Sequence, residues 1–303
     1  MRPLFLYILG GMDPTQKGAI AFGLLAAAIW GGMYVVSKAV LAFIPPFALL
    51  SLRLLLGAAA LGLVLGRRGG WPRLTRSQWL SILLIGALGY GVSLGMQFAG
   101  TRLSTAANGA VVTAATPAFV LLFAFFILGE RVGPRRLAAL LLATLGVLLV
   151  IDPAHARLDA NLWRGNLILV GAALTWALYS VLVRRSAGGV GVLPFTIVAL
   201  LGGLPLALAL GAWELASVGV GDLTLLIWLG VLYLGLVSTA LAAYLWNYAF
   251  EHLEAGVASL TFFAQPLVGA ALGALLLGER LTPLFLMGAA LILVGLWLAA
   301  RRR

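Results

Sequence analysis

Cysteine is absent from this 303-residue chain, and charge of either sign is scarce. Without cysteine there is no disulfide and no thiolate metal site. Only 10% of residues are charged against 63% hydrophobic, and mean hydropathy is +1.10. No soluble domain hides that much apolar surface, so the solvent is lipid. Carboxylates are rarest: Asp13, Glu130, Asp152, Asp159, Glu214, Asp222, Glu251, Glu254 and Glu279 are all there are. Each falls at or beyond the end of an apolar run. Proton-driven carriers usually place an ionisable relay within the membrane, so this lack favours facilitated diffusion over proton antiport. The two histidines, His155 and His252, fall in expected loops, and no aspartate pair exists. A catalytic set for an intramembrane enzyme is therefore missing, as are the charged rings or carbonyl filter of a channel. No metal or other cofactor is expected.

What is present is length of apolar sequence. A span needs roughly 20 predominantly apolar residues, and ten such runs can be counted. They predict helices over 18–43, 46–66, 78–101, 104–128, 135–151, 164–185, 190–212, 222–250, 254–277 and 281–300. Residues 1–17 read as an N-terminal extension; the apolar run 3–9 is too short to span, and Met12 is the expected natural start. A net charge of +11 would fit a nucleic-acid binder, but the basic residues sit in short turns, the positive-inside pattern. With the N-terminus inside, that side holds Arg2, Lys17, Arg67, Arg68, Arg73, Arg76, Arg131, Arg135, Arg136, Arg184, Arg185 and Arg301 to Arg303. The other side holds only Arg102, Arg157, Arg164 and Arg280. Both termini are thus expected in the cytoplasm.

The chain also repeats itself. Pro117, Leu128, Gly129, Glu130, Arg131, Pro134, Leu137 and Gly146 recur as Pro266, Leu277, Gly278, Glu279, Arg280, Pro283, Leu286 and Gly295, each pair 149 positions apart. Two prolines, two glycines and a Glu-Arg pair in one register mark an internal repeat. The units are 18–151 and 164–303, with 152–163 as linking loop. Five helices per unit is an odd number, so the second copy enters the membrane upside down. Inverted repeats of this kind build transporters, with the substrate near the midplane where the halves meet.

Two five-helix units, each closing with Pro…Leu-Gly-Glu-Arg…Pro…Gly, resemble the EamA domain pair of the drug/metabolite transporter superfamily. Trp30-Gly31, Lys38, Pro45-Pro46 and Arg53 add to the likeness in the first unit. The second keeps Trp176 but has no counterpart of that Lys and Arg. The resemblance implies a ten-helix bundle exporting small metabolites, often amino acids.

Candidate site residues are aromatic, amide and hydroxyl groups at membrane depth. Trp30 and Tyr34 share one face of the first helix, and Tyr90 and Gln97 one face of the third. Asn108, Thr113 and Thr116 lie on the fourth, and Trp176, Tyr179 and Ser180 on the sixth, with Trp176 near the repeat mate of Trp30. Tyr244, Asn247 and Tyr248 lie on the eighth, and Phe262, Phe263 and Gln265 on the ninth. Tyr248 also reads as an interfacial ring. An amide in lipid needs an internal partner, so Gln97, Asn108 and Gln265 must point into the bundle. Lys38 and Arg53 are read as snorkelling towards the outer face, as anchors or as attraction for a substrate carboxylate at the outer mouth. Glu251, His252 and Glu254 form a cytoplasmic turn, either solvated or acting as a gate. The Glu-Arg pairs are read as structural, pairing with neighbouring loops or capping helix ends. Gly91 and Gly95, and Gly269 and Gly273, allow close helix contact, and Pro117 and Pro266 predict kinks.

The sequence thus predicts an all-α integral membrane protein with ten transmembrane helices in two inverted five-helix repeats. It predicts a monomeric carrier in a bacterial inner membrane that exports small molecules through an aromatic-lined, uncharged cavity. Amino acids, neutral or aromatic, are the expected cargo; drugs or nucleobases moved by proton antiport are the alternative. Nucleic acid is not an expected partner.

Overall fold

The computed structural model describes residues 13–103, 113, 115–151, 160–186, 189–268 and 283–300. These fall into ten helical segments, with no strand among the described residues. They are α1 (Pro14–Val40), α2 (Pro46–Arg67), α3 (Arg76–Leu103), α4 (Thr116–Leu128), α5 (Pro134–Ile151), α6 (Ala160–Arg185), α7 (Val192–Val218), α8 (Leu225–His252), α9 (Ala255–Val268) and α10 (Pro283–Ala300). Six are long and apolar enough to cross a membrane by length and composition: α1, α2, α3, α7, α8 and the 164–185 part of α6.

Local chemistry sets the ends. Asp13 accepts from the Gln16 amide (2.9 Å) with Pro14 in the first turn, so α1 opens four residues before the apolar run. Thr75 and Gln78 form a capping box that starts α3 at Arg76 rather than at residue 78. α7 runs on to Val218, past the expected end at 212, and carries Pro205 within it. α6 begins at Ala160, inside the stretch expected as linking loop. Two helix starts are capped from elsewhere in the chain. Glu214 of α7 accepts from the Phe47 and Ala48 amides at 2.7 and 3.2 Å, and Glu130 accepts from the Ala255 and Gly256 amides at 2.8 and 3.1 Å. Both satisfy donors that lipid would leave bare.

Pro117 and Pro266, expected to kink their helices, each follow an interruption of the α-helical backbone, whereas Pro205 sits within a continuous α7. Proline removes an amide and crowds the carbonyl four residues back. Ala115 is a turn just before Pro117, and 261–263 tighten to a 3₁₀ turn just before Pro266. Wide π-helical turns in α3 (Ala87–Ser93) and α8 (Tyr233–Leu241) were not anticipated. They occupy nearly the same place in the two repeats.

Helix contacts come in reciprocal pairs. α1 packs on α8 and α6 on α3; α2 packs on α8 and α7 on α3; α2 meets α7, and α5 meets α10. Moving each helix five places along the chain turns one contact into its partner. Gly91 approaches Gly203 of α7 and Gly95 faces the Phe47 ring of α2, so this glycine pair serves two neighbours. Gly269 and Gly273 lie outside the described residues.

Candidate substrate cavity

α1, α2, α3, α6, α8 and the broken stretches of helices four and nine converge halfway along the bundle on a cavity of about 530 Å³, mouth included. Trp30 of α1 and Trp176 of α6 meet edge to face, ring centroids 5.5 Å apart. Tyr90 and Phe262 extend this wall, and Trp246 backs it 5.2 Å from Trp30. Gln97, Thr113, Thr116 and Gln265 supply polar groups, and Met33, Ser93, Leu94, Ala172, Ala173, Ser238, Thr239 and Ala243 fill the rest.

The aromatic wall is anchored through the wide turn of α8. A π turn leaves carbonyls free of their helical partners. Trp30 Nε1 donates to the Ser238 carbonyl (2.9 Å), and Thr239 Oγ1 to that of Leu234 (2.7 Å). Ser93 donates to the Ala172 carbonyl (2.8 Å), tying α3 to α6.

Many candidate residues meet here. Trp30, Tyr90, Gln97, Thr113, Trp176, Phe262 and Gln265 line the cavity. Tyr34 sits behind it, accepting from Gln97 Nε2 (2.8 Å) and bonded to Thr113 Oγ1 (3.4 Å). Tyr179, Ser180 and Asn247 lie beyond Tyr90, in the layer towards the end of α6. Tyr179 shares a hydroxyl–hydroxyl bond with Tyr90 (2.9 Å) and bonds Asn247 Oδ1 (2.8 Å), whose Nδ2 donates to Thr196 (3.0 Å). Ser180 accepts from Trp246 Nε1 (3.1 Å). Tyr244 belongs to neither group: it is half-buried against Tyr248. Asn108 lies outside the described residues.

Three readings need correction. Arg53 is not at a mouth: it is 1% exposed and lines the cavity, so the wall is not uncharged. It lies on the stripe of α2 that also buries Leu49, Leu50, Leu54 and Gly57, facing α8 rather than lipid. Lys38 alone is exposed near a helix end, donating to the Thr101 carbonyl (3.2 Å). Glu251, His252 and Glu254 do not act as one cluster. The Glu251 carbonyl accepts from Arg184, His252 stacks on Tyr248 at 4.0 Å, and Glu254 pairs with Arg136, which also lies 4.0 Å from Glu130.

Repeat register explains much of the lining. Tyr90 and Thr239, Leu94 and Ala243, Thr113 and Phe262, and Thr116 and Gln265 are each 149 apart, and all eight line the cavity. The mate of Trp30 is Tyr179, three residues beyond Trp176. Applying the offset to Tyr90 would have found Thr239 from sequence.

A chamber with one wall of four aromatic rings and convergent polar groups, set among repeat-related apolar helices, fits a multi-pass membrane transporter. The chain belongs to the EamA-like transporter family, whose profile matches residues 17–152 and 163–301. It is 30% identical to a probable amino-acid metabolite efflux pump of Salmonella typhimurium, over 91% of this chain and 92% of that one. A protein of the same description from Escherichia coli is 29% identical over 93% and 94%. An uncharacterized transporter of Archaeoglobus fulgidus is 28% identical over 92% and 97%. One crystal structure superposes with a TM-score of 0.77, at 25% identity, over 93% of this chain and 97% of the other.

Proposed function

We propose that this chain is an alternating-access carrier that exports amino acids, neutral or aromatic ones above all, as a monomer in a bacterial inner membrane. The observation that carries the reading is the Trp30–Trp176–Tyr90–Phe262 wall facing Gln97 and Gln265 in one cavity. Rings pack the apolar part of a small solute and amides fix its polar part. The descriptions of the two efflux pumps point to the same cargo.

The mechanism is a rocking of two five-helix units, residues 18–151 and 164–303, inserted in opposite senses with both termini in the cytoplasm. One chain supplies both halves, so no second copy is needed. The layer Tyr90–Tyr179–Asn247 forms the barrier on the cytoplasmic side. Tyr90 lines the central cavity, while Asn247 lines a smaller one beside Glu251 and Val192, and fully buried Tyr179 stands between. Export requires that this layer open. Among the described residues the cavity lining contains no carboxylate and no histidine, which supports flux down a gradient without proton coupling.

The test is uptake of labelled amino acids into liposomes carrying the purified protein, with and without an imposed pH gradient. Saturable flux that ignores the gradient is expected. Accumulation that follows the gradient would overturn the facilitator reading, and absence of any amino-acid flux would overturn the cargo.

A further inference from the structure

Among the described residues Arg53 is the one charged side chain on the cavity wall, and its partners do not use it up. Its Nε donates to the Leu234 carbonyl (3.2 Å) and Thr239 Oγ1 (2.9 Å). Nη2 reaches Ser238 Oγ (3.3 Å) and the Met33 sulfur (3.7 Å), and the guanidinium lies 4.8 Å from the Phe98 ring centroid. Every one of these partners is neutral. Nη1 is buried and has no hydrogen-bond partner among the described residues. The ion pairs among the described residues involve Arg136, elsewhere in the fold. A cation taken out of water without a counter-charge is costly, and clamping the wide turn of α8 needs only Nε and Nη2. The remaining edge is free to meet an anion.

Other cavity groups are left unfilled in a matching pattern. Trp176 Nε1 is a second donor without a partner, while Gln97 Oε1 and Gln265 Oε1 are acceptors without one. Gln265 is 2% exposed and Trp176 7%. Buried polar groups are normally satisfied, and here the exceptions gather around one chamber. Unfilled donors suit a carboxylate, unfilled carbonyl oxygens suit an ammonium, and the rings between them suit an apolar side chain.

We propose that Arg53 is the carboxylate subsite of this carrier, with Nη1 donating to a substrate carboxylate oxygen while Gln97 and Gln265 receive the substrate's ammonium group. The subsite rests on the small-metabolite reading of the same cavity and sharpens it: cargo must carry a free carboxylate. An arginine fork suits carboxylate better than an ammonium does. Aromatic walls favour an organic acid over a hydrated inorganic anion.

The experiment compares L-phenylalanine, L-phenylalaninamide and 3-phenylpropionate as labelled probes in proteoliposomes, with protein-free liposomes subtracted. Wild type is expected to move phenylalanine at least tenfold faster than its amide, a preference worth about 1.4 kcal/mol. Arg53→Gln should bring that ratio near one, and Arg53→Lys should retain part of it. The ratio is read within each variant, so poor folding scales both fluxes alike; if Arg53→Gln does not insert, the wild-type ratio decides. Equal wild-type fluxes of acid and amide, or a ratio unchanged in Arg53→Gln, would overturn the subsite. Transport of phenylpropionate but not phenylalanine would keep the subsite and sink the amino-acid reading. Movement of the amide alone, or of none of the three, would sink the subsite. Inhibition by inorganic phosphate or chloride as strong as by phenylalanine would assign the position to an inorganic anion and also overturn it.

Discussion

Gly146 and Gly295 occupy the same position twice. A Cβ on Gly146 would lie 2.6 Å from the Gly288 carbonyl oxygen, and one on Gly295 would lie 2.8 Å from that of Ala139. Gly295 follows Gly146 by the same 149 residues that separate Ala139 from Gly288. Ile292 and Ala143, the next contacts of each glycine, obey the same offset. α5 and α10 therefore pack against each other about a local two-fold axis, backbone to backbone.

This reciprocity makes a paired prediction. Gly146→Ala and Gly295→Ala should each destabilise the protein by about 1–3 kcal/mol, the usual cost of overpacking. The two losses should be alike within about 1 kcal/mol. Thermal unfolding in detergent measures both, and a large loss in only one would show that the axis is not shared.

Glu130 caps α9 and lies against Arg136, and it is not among the residues that line the cavity. Glu130→Gln should cost about 1–3 kcal/mol of stability, since two backbone amides lose a charged acceptor. The Michaelis constant for substrate should not change. A shifted Michaelis constant with normal unfolding would place Glu130 in transport rather than in the scaffold.

The two cavity tryptophans should behave differently when replaced by phenylalanine. Trp30→Phe strands the Ser238 carbonyl, at about 1 kcal/mol. Trp176 Nε1 has no hydrogen-bond partner among the described residues, so Trp176→Phe should cost less stability than Trp30→Phe and raise the Michaelis constant several-fold. Unfolding and uptake curves for both variants check this. An unchanged Michaelis constant in Trp176→Phe would take that nitrogen out of the substrate site.

With no native cysteine, a single introduced thiol reports cleanly on the barrier layer. Ser93→Cys places one on the central cavity wall. Adding Tyr179→Phe removes the hydroxyl that links Tyr90 to Asn247. Labelling of that thiol by a charged, membrane-impermeant reagent from the cytoplasmic side should then quicken several-fold. An unchanged rate would show that the layer is held by packing alone.

The fold was legible where the signal was long-ranged. Apolar runs placed the described helix ends to within a few residues except at the end of α7, while the start of the fourth run and the end of the ninth lie outside the described residues. The Gly-Glu-Arg repeat put Gly146 and Gly295 in one register without showing that their helices touch. The cavity was legible at Trp30, Tyr90, Gln97, Trp176 and Gln265, because amides and rings at membrane depth have few places to go. Arg53 was misplaced because the cost of burying charge argues for snorkelling. Only the tertiary contact with the wide turn of α8 reveals its partners. That turn is itself silent in sequence, since π and α segments share the same apolar composition. Glu251, His252 and Glu254 were grouped by adjacency, whereas their partners come from α6, the end of their own helix α8, and α5.

Tyr90 opposite Thr239, and Thr113 opposite Phe262, show that the mates on the cavity wall have diverged. On the rocking reading, each half adopts in one orientation the shape that its mate adopts in the other. Identical halves would make the two orientations equal in energy and equally populated. Diverged walls lift that degeneracy, and each 1.4 kcal/mol of difference is tenfold in population. The empty carrier should therefore rest facing one side, with unequal apparent affinities measured from inside and outside. Net flux still follows the gradient, because a resting bias changes how long the carrier waits on each side and does no work on the cargo.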